Sequence, residues 1–330
     1  MRTRILMTVG VAGAMALGAM TAADAAVQYV RVAGVDRYDT PVVLANQFLT
    51  SPTATVYVAS GDSFPDALAA GAAAAHVNAP VLLTRPGSLP NGTRDELISL
   101  QPTKVVVVGG PNAISAAVKD AIQTAVPGAT VSRVGASIGT RYDTAAALSS
   151  SVFGTSVPVA YVASGETFPD ALSGSAAAGT LGGPVLLVQP TGSYSQSFVD
   201  ELHRLNPAKV VLLGGYNAIS QLTETYLRAE VDPIPLSRIS GADRYDTSVA
   251  ISVAVFGPGV PYVFLTTGQN YPDGLAAGAI AGSKHVPVLL TRKTCLPQPV
   301  AEEIARLNPS QVYVLGGPAA VADTPPPVCT

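Results

Sequence analysis

Residues 104–115 read KVVVVGGPNAIS, residues 209–220 read KVVLLGGYNAIS and residues 311–322 read QVYVLGGPAAVA. Each opens on an unbroken aliphatic run without polar alternation, the signature of a strand covered on both faces. Each then breaks at Gly-Gly, where backbone can approach a neighbour or a ligand closely. Working outward, three more blocks recur in the same order. Pro80, Pro184 and Pro287 each open a Pro-Val-Leu-Leu run. ASGDSFPDALAAG from Ala59, ASGETFPDALSGS from Ala163 and TTGQNYPDGLAAG from Thr266 keep Gly, Pro and Asp in register. The tetrad Arg-Tyr-Asp-Thr stands at Arg37–Thr40, Arg141–Thr144 and Arg244–Thr247, offsets of 104 and 103 residues. Four collinear blocks in triplicate make the chain one module written three times.

Within a module the periodicity alternates. Strand-like runs at Tyr29–Ala33, Thr55–Ala59, Pro80–Thr84 and Lys104–Val108 are separated by stretches at helical spacing, such as Pro65–Ala75, Leu89–Leu100 and Ala113–Val126. Strands joined by single helices run parallel, because the crossover needs a dozen residues or so. The reading is therefore α/β: three tandem Rossmann-like, doubly wound parallel-sheet modules, each βαβαβαβα. Their expected limits are 26–129, 130–235 and 236–330. The third is expected to end short, with prolines in place of its last helix after Ala322.

Composition narrows the function. The 330 residues are 48% hydrophobic and 12% charged, so large cores are available and disorder is not expected. Nineteen basic against twenty-two acidic residues, with no basic run, leave no footprint for nucleic acid. There is no Trp and only 6% aromatic residues, so a sugar groove of stacked indoles is excluded and any glycan contact is largely polar.

Met1–Arg4 carry two arginines, Ile5–Met20 form a short apolar run, and Ala23-Asp24-Ala25 supplies a small-x-small cleavage pattern. Residues 1–25 read as a signal peptide, and the product as secreted, with no later membrane span and no covalent anchor. The two cysteines, Cys295 and Cys329, are expected to pair in that oxidising setting. Their bridge would tie the proline-rich end to the loop before the last helix.

In an open parallel sheet, ligands collect at the carboxyl ends of strands and the helix starts that follow. The repeated blocks fall on that rim. Candidate ligand residues are the tetrad arginines Arg37, Arg141 and Arg244, the aspartates Asp66, Asp170 and Asp273, and Arg85 and Arg292 after the third strand, where the middle module has Gln189. The glycine pairs Gly109-Gly110, Gly214-Gly215 and Gly316-Gly317 add backbone amides suited to an anion, and arginine adds a planar bidentate donor. A purely structural alternative stands beside this one: Arg37, Arg141 and Arg244 pairing with Asp66, Asp170 and Asp273 to lock loops. Asp39 and Thr40, before Pro41, read as helix capping.

Catalysis would leave other traces. His76, His203 and His285 occupy inequivalent positions, no paired-histidine metal spacing exists, and Ser60 and Ser164 lack a nucleophile elbow, the third module having Thr267. No catalytic residue, metal site or cofactor is assigned. Repetition instead suits binding, since several weak sites on one rigid body hold a repetitive polymer far better than one.

VAGVDRYDT from Val32, SGDSFPDALAAG from Ser60, PVLLT from Pro80 and VVVVGGPNAIS from Val105 resemble the cell wall-binding repeat 2 family, over essentially all of residues 27–322. The resemblance implies modules around a pseudo-threefold axis and non-covalent attachment to an anionic secondary wall polymer, a glycan of the teichoic-acid kind. On this reading the protein is a monomeric, non-enzymatic anchor at the cell wall or cell surface. The repeats are expected to leave no residues for an effector domain, so either anchoring is itself the function or a small activity resides in the loops. A secreted solute-binding protein and a wall hydrolase using Asp66, Asp170 or Asp273 are the competing readings. The second module departs from the pattern: VGASIGT before Arg141 lacks the aspartate found at Asp36 and Asp243, so its rim is expected to bind differently or not at all.

Overall fold

The computed structural model describes residues 27–135, 139–192 and 194–330. The expected leader and Ala136–Ile138 of the second module's tetrad loop lie outside the described residues. The first repeat runs β1 (Gln28–Val32), α1 (Asp39–Phe48), β2 (Thr55–Ser60), α2 (Pro65–His76), β3 (Val81–Thr84), α3 (Asn91–Leu100), β4 (Lys104–Val108) and α4 (Ala116–Ala125). The second runs β5 (Thr130–Val134), α5 (Arg141–Val152), β6 (Ala160–Ser164), α6 (Pro169–Leu181), β7 (Val185–Val188), α7 (Gln196–Leu205), β8 (Val210–Leu213) and α8 (Gln221–Val231). The third has β9 (Leu236–Ile239), α9 (Arg244–Val255), β10 (Tyr262–Thr267), a 3-10 turn at Pro272–Gly274, α10 (Ala277–Ser283), β11 (Val288–Thr291), α11 (Gln298–Leu307) and β12 (Gln311–Leu315).

These strands form three four-stranded sheets, and every pairing is parallel. Their orders are β3-β2-β4-β5, β7-β6-β8-β9 and β11-β10-β12-β1. Each sheet thus takes its edge strand from the next repeat in sequence, and the third takes β1 from the start of the chain. Gln28 to Val32 pair with Gln311 to Leu315, joining the last repeat to the first. Sequence repeat and sheet are out of step by one strand, which puts every tetrad loop at a junction between repeats.

The continuous apolar runs follow from two-sided burial. In β2, Val56 and Val58 face an outer core with Ala45 of α1, Leu97 of α3 and Ile122 of α4, whereas Tyr57 and Ala59 belong to the inner core that contains α2. The inner helices α2, α6 and α10 pack on one another about the pseudo-threefold axis. They are Ala- and Gly-rich on all sides, as helices buried all round must be. A Cβ added to Gly71 or Gly278 would press on Ser175 Cβ at 3.0 and 2.7 Å. One turn further on, a Cβ on Gly179 would collide with the Ala75 Cβ. Ser175 Oγ donates to the Leu68 carbonyl of α2 at 2.9 Å, a cross-repeat hydrogen bond inside this bundle.

After β12 the chain forms no helix like α4 or α8. A tail takes that place: Cys295 and Cys329 are disulfide-bonded, with Cα atoms 4.9 Å apart. Leu296 N donates to Pro327 O at 2.7 Å and Cys329 N to Leu296 O at 2.8 Å. No helix among the described residues is long and apolar enough to cross a membrane.

Because the helix bundle leaves no room for a methyl group, Gly179→Ala should destabilise the protein by about 1–3 kcal/mol. Gly154→Ala, whose Cβ would meet nothing within 4 Å, should change stability by under about 0.5 kcal/mol. Equal thermal midpoints for the two variants would contradict the tight bundle.

Candidate functional site

The borrowed edge strand builds the site. Arg133 of β5, Arg238 of β9 and Arg31 of β1 each reach across to the neighbouring Gly-Gly turn, donating to the carbonyls of Gly109 (2.6 Å), Gly214 (2.6 Å) and Gly316 (2.7 Å). Arg133 and Arg238 also donate to Ile114 O at 2.7 Å and Ile219 O at 3.0 Å. The first glycine of each pair has a positive φ, +108°, +93° and +89° at Gly109, Gly214 and Gly316. A side chain there would be strained, and its Cβ would collide with Oδ2 of Asp66, Asp170 or Asp273 respectively. Gly-Gly and the Pro-Asp helix start of the same repeat are therefore pressed together, with the carboxylate against bare backbone.

What completes each cleft comes from the next repeat. Asp66, Gly110 and Asn112 face Thr140, Arg141 and Thr144 across a cavity of about 170 Å³. Asp170, Gly215 and Asn217 face Asp243, Arg244 and Thr247 across one of about 280 Å³. Burial pushes the carboxyls of Asp66 and Asp170 up to about 6, a rise that the positive charges of Arg141 and Arg244 partly oppose. Neither carboxylate accepts a hydrogen bond among the described residues.

This corrects the in-repeat pairing considered from the sequence. Among the described residues no ion pair joins Arg37 to Asp66, Arg141 to Asp170 or Arg244 to Asp273. The charge facing Asp66 is Arg141 and that facing Asp170 is Arg244, both from the following repeat. Each tetrad arginine instead donates within its own repeat, Arg37 to Gly61 O at 3.3 Å, Arg141 to Gly165 O at 2.6 Å and Arg244 to Gly268 O.

Capping is also displaced. The helix start at α1 is capped by Asp36, whose Oδ1 accepts from Tyr38 N (2.8 Å) and Asp39 N (3.1 Å), and α9 is capped by Asp243 in the same manner. Asp39 and Thr40 do not cap. In the second repeat, Thr140 and Asp143 form a capping box, so a hydroxyl stands in for the absent aspartate. Arg85 does not approach Asp66: it lies 4.5 Å over the Tyr38 ring and 3.4 Å from Asp36 Oδ2, and Arg292 lies 5.3 Å over Tyr245. At the matching position Gln189 Oε1 is buried with no hydrogen-bond partner among the described residues. Tyr38 is pushed up to about 12 by burial and by its 2.6 Å hydrogen bond to Asp62.

Two sets of residues went unnoticed in the sequence. Arg31, Arg133 and Arg238 recur in the strand before each tetrad, but the reading of that strand as part of its own repeat hid their targets. Phe64, Phe168 and Tyr271, each just before Pro-Asp, meet at the axis with ring centroids 5.4–6.1 Å apart. They cap the rim end of the helix bundle. Among the described residues no group of three His, Cys, Asp or Glu side chains is placed to hold a metal ion.

Three parallel-sheet repeats closed into a ring, with polar clefts at their junctions, define a repeat-built binding module. Residues 31–119, 139–224 and 238–324 match the model of cell wall binding domain 2 (CWB2), and the chain belongs to that family. It is 30% identical over 292 residues to the N-acetylmuramoyl-L-alanine amidase LytC of Bacillus subtilis strain 168, covering 88% of this chain and 56% of that protein. It is 26% identical over 284 residues to the amidase enhancer of the same organism, 86% of this chain and 37% of that protein. Among solved structures, Cwp8 and Cwp6 from Clostridium difficile superpose with TM-scores of 0.78 and 0.77 at 22% and 23% identity. Each match covers 88% of this chain, and 49% and 46% of those chains. The chain thus spans only about half, or less, of the proteins it matches.

The raised carboxyls give a pH dependence with a definite sign. Between about pH 4 and 6 the folded protein holds protons on Asp66 and Asp170 that the unfolded chain releases, so stability falls as pH rises through that window and levels off above it. Asp66→Asn/Asp170→Asn should flatten this part of the profile in thermal melts from pH 4 to 7.5. An unchanged slope in the double variant would show that other groups set it.

Proposed function

We propose that this protein is exported and held at the bacterial surface by non-covalent binding of an anionic wall polymer in the junction clefts, acting as a monomeric, non-enzymatic anchor. Membership of a cell wall binding family supports the wall as the target. The observation that carries the cleft assignment is the meeting, at the first two junctions, of a guanidinium from one repeat with the glycine-amide turn, the asparagine and a half-buried carboxyl of the repeat before it. Arg141 and Arg244 supply bidentate donors for a phosphate or carboxylate group of the polymer. The amide of each pair's first glycine is taken up by the borrowed strand, Gly109 N donating to Val134 O and Gly214 N to Ile239 O, so the Gly110 and Gly215 amides add the neutral donors, and Asn112 and Asn217 suit glycan hydroxyls.

The carboxyls set the pH response of binding. At pH 7.5 Asp66 and Asp170 are ionised and oppose an anion; below about pH 6 they are protonated and donate instead. Binding of an anionic polymer therefore tightens as pH falls.

Residues 26–330, incubated with purified sacculi, should sediment with them, more completely at pH 5.5 than at 7.5. Removal of the secondary polymers by mild acid should abolish sedimentation, and no soluble wall fragments should appear. Undiminished binding to stripped sacculi would move the target to peptidoglycan, and fragment release would establish a hydrolase.

A further inference from the structure

The three junctions are not equivalent, and we propose that only two of them bind polymer: the third, between the last repeat and the first, is a closed structural joint. This inference rests on the assignment of the clefts as the wall-binding sites. Three independent features single out the third junction. Thr40 Oγ1 donates to Asp273 Oδ1 at 2.8 Å, so the carboxylate that is free of hydrogen bonds at Asp66 and Asp170 is here tied directly across the junction. The asparagine that lines the other two clefts is replaced by Ala319, which can neither donate nor accept. The helix start is also altered. At the first two junctions Asp66 and Asp170 sit in the first turn of the long helices α2 and α6. Asp273 lies instead in an isolated 3-10 turn, and α10 begins only at Ala277.

Gly274 accounts for the altered start. It stands where the other repeats have Ala67 and Ala171, and an added Cβ would lie 2.8 Å from Leu172 Cδ2 and 3.1 Å from Thr266 Cγ2. A glycine also weakens the helix at its first turn. The third junction has a separate task that the others lack. The first two repeats are joined covalently to their borrowed strands, whereas β1 is joined to its sheet only by pairing and side chains. Thr40, buried and also accepting from Gly34 N at 3.2 Å, locks the loop after β1 against the last repeat. At this junction the carboxylate is engaged in closing the ring and the asparagine is absent.

The test is a titration of residues 26–330 with wall-glycan fragments one or two repeating units long, released from sacculi by mild acid and followed by calorimetry at pH 5.5. The expected stoichiometry is two fragments per chain. Asn217→Ala, an exposed substitution, should leave one fragment bound at full affinity and weaken the other at least tenfold, and Asn112→Ala/Asn217→Ala should weaken both at least tenfold. Three fragments per wild-type chain, or one fragment retained at full affinity by the double variant, would overturn the two-site account while leaving wall binding intact. Fragments that bind nowhere on the wild type would overturn the polymer reading and this inference together.

Discussion

The structure depends on one offset: each sheet is completed by a strand that belongs, in sequence, to the next repeat. Parallel pairing requires the chain to leave the sheet through a helix and return, and here the return strand also begins the following module. The consequence is that no repeat is finished without its neighbour. Arg133, Arg238 and Arg31 fasten the arrangement by donating to the Gly-Gly carbonyls across each boundary. The tetrad loop that follows is then delivered to the carboxyl ends of the previous repeat's strands, which is where a parallel sheet places its ligands.

The inner helix bundle makes that offset geometrically feasible. Three helices can meet on an axis only if their shared faces are small, and Gly71, Ser175, Gly179, Gly278 and Gly282 provide that face. Interior polarity is kept to a minimum there, Ser175 meeting its hydrogen-bonding needs with helix carbonyls. Charge is scarce across the chain, at 12% of residues, yet each of the two clefts brings an arginine to an aspartate, Arg141 to Asp66 and Arg244 to Asp170. A mildly acidic protein can therefore present local guanidinium sites to an anion.

Much of the fold was legible because triplication removes ambiguity. The strands at Thr55, Val81 and Lys104 and the helix at Pro65 lie within a residue or so of the positions their periodicity predicts. The resemblance carried by the tetrad and Gly-Gly blocks agrees with the family match. Strand exchange between repeats was not legible, since a four-strand unit can be divided before or after its first strand without changing the pattern. That single ambiguity reversed the partners of Arg141 and Arg244. It also concealed the role of Asp36 and Asp243 as caps, because Asp39 and Thr40 looked equally suited to capping. The second repeat was expected to be the outlier on the loss of one aspartate, a longer loop and Gln189 in place of arginine; Thr140 supplies the cap with a hydroxyl, a substitution that capping preferences allow, while the Gln189 difference stands.

Arg141 and Arg244 meet Asp66 and Asp170 across repeat boundaries. The carboxyl of Asp170, pushed up to about 6 by burial and drawn down by Arg244, reports on that meeting directly. Its titration by NMR should shift upward in Arg244→Ala and stay in place in Arg141→Ala, whose effect should appear at Asp66 instead. A shift of Asp170 in Arg141→Ala, with none in Arg244→Ala, would show instead that Arg141 and Asp170 pair within the second repeat.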